Sequence, residues 1–595
     1  MANAADDSAM EPTPLPSSSS PAPHSRLLRT ELLHPAGSQQ APVTTLQLSP
    51  IDLLMQLDWT IRLVSFYRAP SQTQKTTQPG EEFMPASAMC RALQQLLHHY
   101  PLLSGRLDGP LEDGSLRVLH GGSSELGVPF HTAIASVPLS ALSLAVGEYS
   151  SLSSLPPSLD LLPPFDYARP LSQALLSVQH TRFACGGVSV AFHVHHIVAD
   201  MIGLVGLLRD WRDLYRRVSA GDAAPVLDVE PTCNRRLLIP QLAPDQIQKA
   251  ASEYDGDIYT ARAIPAAAAG AASASLAPAV PPSRCLTRVL HFSRQELSQM
   301  VRAASSSPSC TSPWVSTFEA LAAHLMRLVH RARFGTKQLS EVAASAGATE
   351  SSSSSAAAAA STAASSTTPD LPPRRLPDGT PLMSALLVSN IRSRTTPALP
   401  ARYFGNAVTK VCASVPAAMS LRDDARFVGL ASTASTVHDA LANLDSLDIT
   451  RSLCWMFSQP RKDLIELRFP QSHEMCISSW AKLGLYEALE FDEGAMPVRV
   501  TPVYAEEGID GLFTIMDAPP CAAGSGSVSG SGSVAGSSSS GSDSGAGSGG
   551  GLEVIVSLLE DDLERFMSDP ELRRFADNIS TTTKQGEAAS QTSKQ

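Results

Sequence analysis

Apolar and polar positions change rhythm most sharply between Val188 and Tyr215. Val188, Val190, Phe192 and Val194 are apolar at every second position, which predicts a half-buried strand. Ile202, Val205, Leu208, Trp211, Leu214 and Tyr215 then recur at three- and four-residue spacing, which predicts an amphipathic helix. His195, His196 and Asp200 fall at the join. A strand running on puts His196 on the apolar face and His195 on the opposite one. Upstream, Ser172 to Phe183 reads as a strand, and Cys185-Gly186-Gly187 turns it back, so these two strands are expected to pair antiparallel.

The same reading extends along the chain. Ser49 with Pro50 and Asp52 marks a short helix start, and Thr60 to Phe66 reads as a strand. Ala86 to Tyr100 is a helix with Met89, Leu93, Leu96 and Leu97 on its apolar face, ended by Pro101. Short strands are predicted at 103–107 and 116–119, followed by loop over 135–170. In the second half, strands are expected at 286–292, 383–391, 407–416, 475–480, 498–503, 511–516 and 552–558. Helices are expected at 293–303, 318–334, 420–443 and 560–576. Ser316 with Glu319 forms a capping-box pattern ahead of the 318–334 helix.

Composition alters this picture in three ways. Ser/Pro-rich residues 1–25, the Ser/Ala runs of 341–370, the Gly/Ser tract of 521–551 and the tail after Asn578 lack the apolar content to offset the entropy of ordering, so disorder is expected there. A net charge of −12 without a basic run argues against a nucleic acid partner. Nine scattered cysteines without a Cys-x-x-Cys pair argue against a disulfide framework and a structural metal, and fit a reducing compartment. No stretch has signal-peptide or membrane-span character. A cytoplasmic monomer without a membrane span is expected.

The chemistry centres on His-His-x-x-x-Asp. A neutral imidazole near pH 7 is a capable general base, since its ordinary pKa is about 6.5. No serine stands in a nucleophile-elbow context, which leaves direct attack by an acceptor deprotonated by His196. Pattern alone leaves a structural histidine open. Metal ligation through His193, His195 and Asp200 fits less well, because no further ligand cluster stands near them.

Several segments resemble, in order, the BAHD superfamily of acyl-CoA-dependent acyltransferases, especially its fungal-type members. They are Leu48-Ser49-Pro50-Ile51-Asp52, Tyr100-Pro101-Leu102-Leu103-Ser104-Gly105-Arg106-Leu107 and His196-Ile197-Val198-Ala199-Asp200, then Ser389-Asn390-Ile391-Arg392-Ser393-Arg394, Tyr403-Phe404-Gly405-Asn406, Ser478-Ser479-Trp480 and Gly551-Leu552-Glu553-Val554. The resemblance implies an α/β fold of two chloramphenicol-acetyltransferase-like domains with mixed sheets and a channel between them. It also implies acyl-CoA as co-substrate, no bound cofactor, no metal, and a small-molecule acceptor of secondary-metabolism type. His196 is then the base and Asp200 a structural support with Arg392 as its candidate partner. Trp480 and Ser479 are candidate donors to the oxyanion, with plain core packing as the alternative for Trp480.

The implied organisation is a mostly disordered 1–45, an N-terminal domain over 46–217, a crossover linker over 218–284, a C-terminal domain over 285–577 carrying both insertions, and a disordered tail over 578–595. Two departures stand out. Met201 replaces the glycine usual after the motif aspartate, and could reshape the channel. The family's second signature, Asp-Phe-Gly-Trp-Gly, is degraded to Glu490-Phe491-Asp492-Glu493-Gly494, where Phe491 and Gly494 align and Glu490 stands for the aspartate. This erosion leaves room for a non-catalytic homologue that binds a ligand or protein partner. A condensation-type transferase using a carrier-protein thioester shares the motif, but no carrier domain is visible.

Overall fold

A computed structural model describes residues 24–575 except 36–40, 56–59, 71–81, 125, 143, 145–158, 257, 263–283, 347–375, 377–380, 423–425, 469–474, 504–507 and 521–549, with backbone only for 335–346. The disorder expected for 1–23, for most of 341–370 and 521–551 and for the tail lies outside the described residues.

Two six-stranded mixed sheets organise the chain. The first runs in the order Ser25–Leu33, Val128–Ala135, Leu176–Phe183, Val188–His195, Thr60–Tyr67, Arg499–Pro502. The second runs Cys285–Ser293, Gly551–Leu559, Leu512–Asp517, Met475–Ser479, Leu382–Asn390, Val408–Pro416. The expected mixed α/β architecture with two similar sheets is what the chain adopts. Leu176–Phe183 and Val188–His195 pair antiparallel across the Gly186 turn.

Val188–His195 lies inside the first sheet, and all eight of its residues are buried. The expectation of a half-buried strand is therefore corrected. Val188, Val190, Phe192 and Val194 face a core built from the helices Ala86–His99 and Met201–Ser219. The opposite face is sealed by the segment around Leu159, Leu161 and Phe165, whose ring stacks on His193 at 3.9 Å. Met89, Leu93, Leu96 and Leu97 are buried as their spacing predicts, and the Trp211 indole N–H donates to the Met89 carbonyl at 3.1 Å.

Several boundaries differ from expectation. The mostly disordered 1–45 contains an edge strand, Ser25–Leu33, and a short strand, Thr44–Gln47. The edge strand gains its order from ladder hydrogen bonds to Val128–Ala135, itself a strand not foreseen, and leaves Leu27, Leu28 and Leu32 exposed. Its side chains therefore carry no burial period to read. The 218–284 linker is also structured in part. It holds the helix Pro244–Ser252, packed on a second unforeseen helix, Ser446–Ser458, and the strand Tyr259–Ala261, paired with Ile465–Leu467. The helix Thr317–Ala346 enters the 341–370 insertion, because the alanines around 343–346 propagate a helix already nucleated. Ser316 and Glu319 form the capping pair: the Glu319 N–H donates to Ser316 Oγ at 3.2 Å, and the Ser316 N–H to Glu319 Oε2 at 2.5 Å.

The two halves are not separate along the sequence. Arg499–Pro502, from the C-terminal half, completes the first sheet beside Thr60–Tyr67. Arg499 then reaches Glu553 of the second sheet through two bonds, at 2.8 and 2.7 Å, with both side chains 1% exposed. A boundary drawn at 284 is thus crossed by backbone pairing and by a buried ion pair.

Candidate active site

His196 begins a single 3-10 turn, His196–Val198, directly after the central strand. Asp200 then caps the helix Met201–Ser219, its Oδ1 accepting from the Gly203 N–H at 2.9 Å. A carboxylate at this position satisfies one of the helix's unpaired N–H groups and complements its dipole. Met201, the first helical residue, is buried within the N-terminal core. It acts there as a packing residue.

Two arginine–carboxylate pairs grip the 196–200 turn. Arg392 binds Asp200 in bidentate fashion, Nη1 to Oδ2 at 2.8 Å and Nη2 to Oδ1 at 2.9 Å, with side-chain exposures of 9% and 4%. The Ala407 N–H adds a bond to Asp200 Oδ2 at 2.9 Å, and Arg392 Nη2 also donates to the Gly405 carbonyl at 3.0 Å. The second pair is Arg235 with Asp52, 3.0 Å apart and fully buried. Arg235 Nη2 donates to the Val198 carbonyl at 2.6 Å, and Nη1 to the Phe404 carbonyl. Asp52 Oδ1 accepts from Asn406 Nδ2 at 2.9 Å, and the same Nδ2 donates to the His196 carbonyl at 2.9 Å. A Cβ at Gly405 would stand 2.6 Å from Arg235 Nη1, so the close approach requires glycine.

His196 is half-buried, whereas His195 has no exposure. Burial lowers the His196 pKa below its ordinary value. The ring's own backbone and the Asp200 carboxylate pull it up, and the Lys410 charge pushes it further down. The net result is a neutral imidazole near pH 7, able to accept a proton. Its Nδ1 is sealed in, without a hydrogen-bond partner among the described residues. His195 contacts the Pro170 carbonyl through Nε2 at 3.2 Å. Burial drives the His193 pKa down to about 3, aided by the nearby Arg62 charge. Among the described residues, no group of His, Cys, Asp and Glu could hold a metal ion.

Ser479 ends the strand Met475–Ser479, and Trp480 follows it; both are half-buried. The Trp480 backbone N–H donates to the Ile515 carbonyl at 2.7 Å, and the side chain packs on the N-terminal core. Among the described residues no hydrogen bond joins Ser479 or Trp480 to His196.

The degraded second signature is a tightly held turn. Phe491 is fully buried, with edge contacts to Trp211 at 4.9 Å, Tyr215 at 5.5 Å and Tyr67 at 6.5 Å. Glu490 pairs with Arg216 at 3.1 Å, and its Oε1 accepts from the Gly494 N–H at 3.1 Å. Arg216 also caps the Phe491 carbonyl, and the Tyr215 hydroxyl donates to Asp492 at 2.8 Å. Every one of these partners except Tyr67 lies on the motif helix or within the turn itself.

Comparison with known proteins now decides the family. The model of the Transferase family matches residues 27–344 and 361–530. The chain belongs to that family, the BAHD superfamily. It is 26% identical to hydroxycinnamoyltransferase 2 of Oryza sativa subsp. japonica, over 83% of this chain and 92% of that one. It is 34% identical to taxadien-5-alpha-ol O-acetyltransferase of Taxus cuspidata, over 36% of this chain and 44% of the relative. A spermidine coumaroyl-CoA acyltransferase of Arabidopsis thaliana is 28% identical over 30% of this chain and 37% of the relative. The chain thus spans less than half the length of these last two relatives. Among solved structures, vinorine synthase shares the fold with a TM-score of 0.54 at 17% identity, covering 93% of this chain and 98% of that one. F. graminearum TRI101 complexed with ethyl coenzyme A shares it with a TM-score of 0.59 at 16% identity, covering 90% and 99%.

Within this BAHD chain, sequence reasoning passed over three residues of the grip on the His196 turn. Asp52 and Asn406 lie inside segments that carry the family resemblance, but nothing local marks them as partners across 354 residues. Arg235 lies in an Ala/Pro-rich stretch without periodicity, and no signal points to it.

Proposed function

We propose that the chain transfers an acyl group from an acyl-CoA thioester to a hydroxyl or amine of a small-molecule acceptor, with His196 as general base. The observation that carries this reading is the neutral, half-buried His196 ring, at the end of a rigid strand, whose turn is fixed by two buried arginine–carboxylate pairs. Nε2, the ring nitrogen not sealed in, takes the acceptor proton. The acceptor oxygen or nitrogen attacks the thioester carbonyl carbon, and the C=O electron pair moves onto oxygen. Collapse of the tetrahedral intermediate breaks the C–S bond, and the coenzyme A thiolate leaves with the proton from His196.

Trp480, through its indole N–H, and Ser479, through its hydroxyl, are the proposed donors to the oxyanion; losing one such donor costs on the order of 3 kcal/mol. Asp200 does not relay the proton, because its oxygens are committed to Arg392, Gly203 and Ala407. The enzyme is read as a cytoplasmic monomer in which substrates meet in a ternary complex without a resident cofactor. Release of coenzyme A thiol, followed over a panel of acyl-CoAs and acceptors in wild type and His196→Ala, tests the reading. Turnover that survives the substitution refutes the base assignment, and acyl-CoA binding without turnover in the wild type makes the chain a non-catalytic binder.

A further inference from the structure

A cavity of about 470 Å³ opens between the crossover at Tyr254 and Tyr259, the strand Val408–Pro416 and the helices Val428–Ala442 and Ser446–Ser458. Its charged lining comprises Glu253, Asp255, Asp448, Arg451 and Lys410. Arg451 is already engaged, with Glu253 at 3.0 Å and Asp448 at 3.4 Å. Lys410 differs. It is 9% exposed, its ammonium stands 5.8 Å from the centre of the Tyr259 ring, and among the described residues it has no ion pair and no hydrogen bond. Its side chain is largely buried, but its ammonium is not among the sealed polar atoms: it keeps a face on the cavity, with the Tyr259 ring and no carboxylate beside it among the described residues.

We propose that this cavity is a substrate subsite in which Lys410 binds an anionic group, a carboxylate or a phosphate. The inference rests on the acyl-transfer reading for the identity of the bound molecule, not for the site itself. One short stretch of chain links the cavity lining to the grip on the His196 turn. Asn406 holds the His196 carbonyl, Ala407 donates to Asp200, and Lys410 follows three residues on, roughly 10 Å of extended backbone. The Lys410 charge also depresses the His196 pKa. An anion seated on Lys410 offsets that charge, so the correct substrate strengthens the base that acts on it.

Two sources can supply the anion: an acceptor carboxylate or a phosphate of coenzyme A. Isothermal titration of the full chain separates them. The probes are 3-hydroxybenzoate and 3-(4-hydroxyphenyl)propanoate against their methyl esters, and coenzyme A against dephospho-coenzyme A. Wild type is compared with Lys410→Met, Lys410→Gln and Lys410→Arg, each checked for folding by circular dichroism. If the acceptor is the source, at least one acid binds about 10- to 100-fold more tightly than its ester, Met and Gln erase the difference, and Arg restores it. If the co-substrate is the source, the neutral variants weaken coenzyme A by a similar factor and Arg restores it, and dephospho-coenzyme A shows whether the 3′-phosphate is the group bound. The assignment is overturned if no acid outbinds its ester and coenzyme A affinity is unaltered by Met and Gln. Binding is read without turnover, so failure of His196 as base leaves this result intact.

Discussion

Removing Arg392 strands a buried carboxylate. In Arg392→Met the aliphatic stem is kept, but Asp200 loses two charge-assisted bonds and retains only the Gly203 and Ala407 N–H groups. Breaking a buried pair from one side costs about 3–5 kcal/mol, a large part of the roughly 5–15 kcal/mol that holds a folded domain. Asp200→Ser keeps a capping oxygen for Gly203 yet strands the Arg392 charge instead. The double variant strands neither. Its loss should therefore fall short of the summed single losses by about 2–3 kcal/mol. Arg392→Lys should recover little, since an ammonium cannot reproduce the planar two-bond fork. Urea unfolding followed by tryptophan fluorescence gives all four corners of the cycle. Losses that add within about 0.5 kcal/mol would show that Asp200 and Arg392 do not depend on each other, and the account of the turn's rigidity fails with them.

Three further outcomes are expected. Because burial lowers the His196 pKa, the acidic limb of kcat/KM against pH should lie below about 6.5, with activity lost as pH falls through it; a limb above that value refutes the neutral-base reading. His193 refuses a proton in the folded state until about pH 3, whereas the unfolded chain takes one near pH 6.5. Stability should thus fall with decreasing pH across that window, by up to about 1.4 kcal/mol per unit from this group, and the urea midpoint of His193→Phe should fall less steeply there. Phe491→Ala deletes a fully buried ring between Tyr67, Trp211 and Tyr215 and should cost about 3–5 kcal/mol, read from the same denaturation curves; a loss under about 1 kcal/mol would mean the eroded signature no longer anchors the motif helix.

Local rhythm made the core legible. The change from period two to period 3.6 around His196 located the strand, the turn and the helix, because each has a face that must be buried. Rhythm failed where burial is slight or complete. Ser25–Leu33 is an edge strand with a largely exposed surface, and the polar face of Val188–His195 is covered by a segment that carries no periodic signal. At the site, the elements bearing His196 and Asp200 could be read locally. Arg392, which meets Asp200 across 192 residues, could be named only through the family resemblance, and Arg235, which reaches Val198 from a stretch with no predicted element, could not be named at all. Long-range pairing of this kind is set by the fold, and a single sequence carries it only through the order of its segments.

The excursion of Arg499–Pro502 into the first sheet has a consequence for any attempt to take the protein apart. A fragment ending at the crossover would present Thr60–Tyr67 as a bare edge, an invitation to intermolecular strand addition. The complementary fragment would carry Arg499 and Glu553 without the sheet that encloses them. Alike in architecture, the two halves are thus tied by a shared strand and a buried ion pair, and a chimera between relatives is expected to fold only where it keeps that borrowed strand with its host.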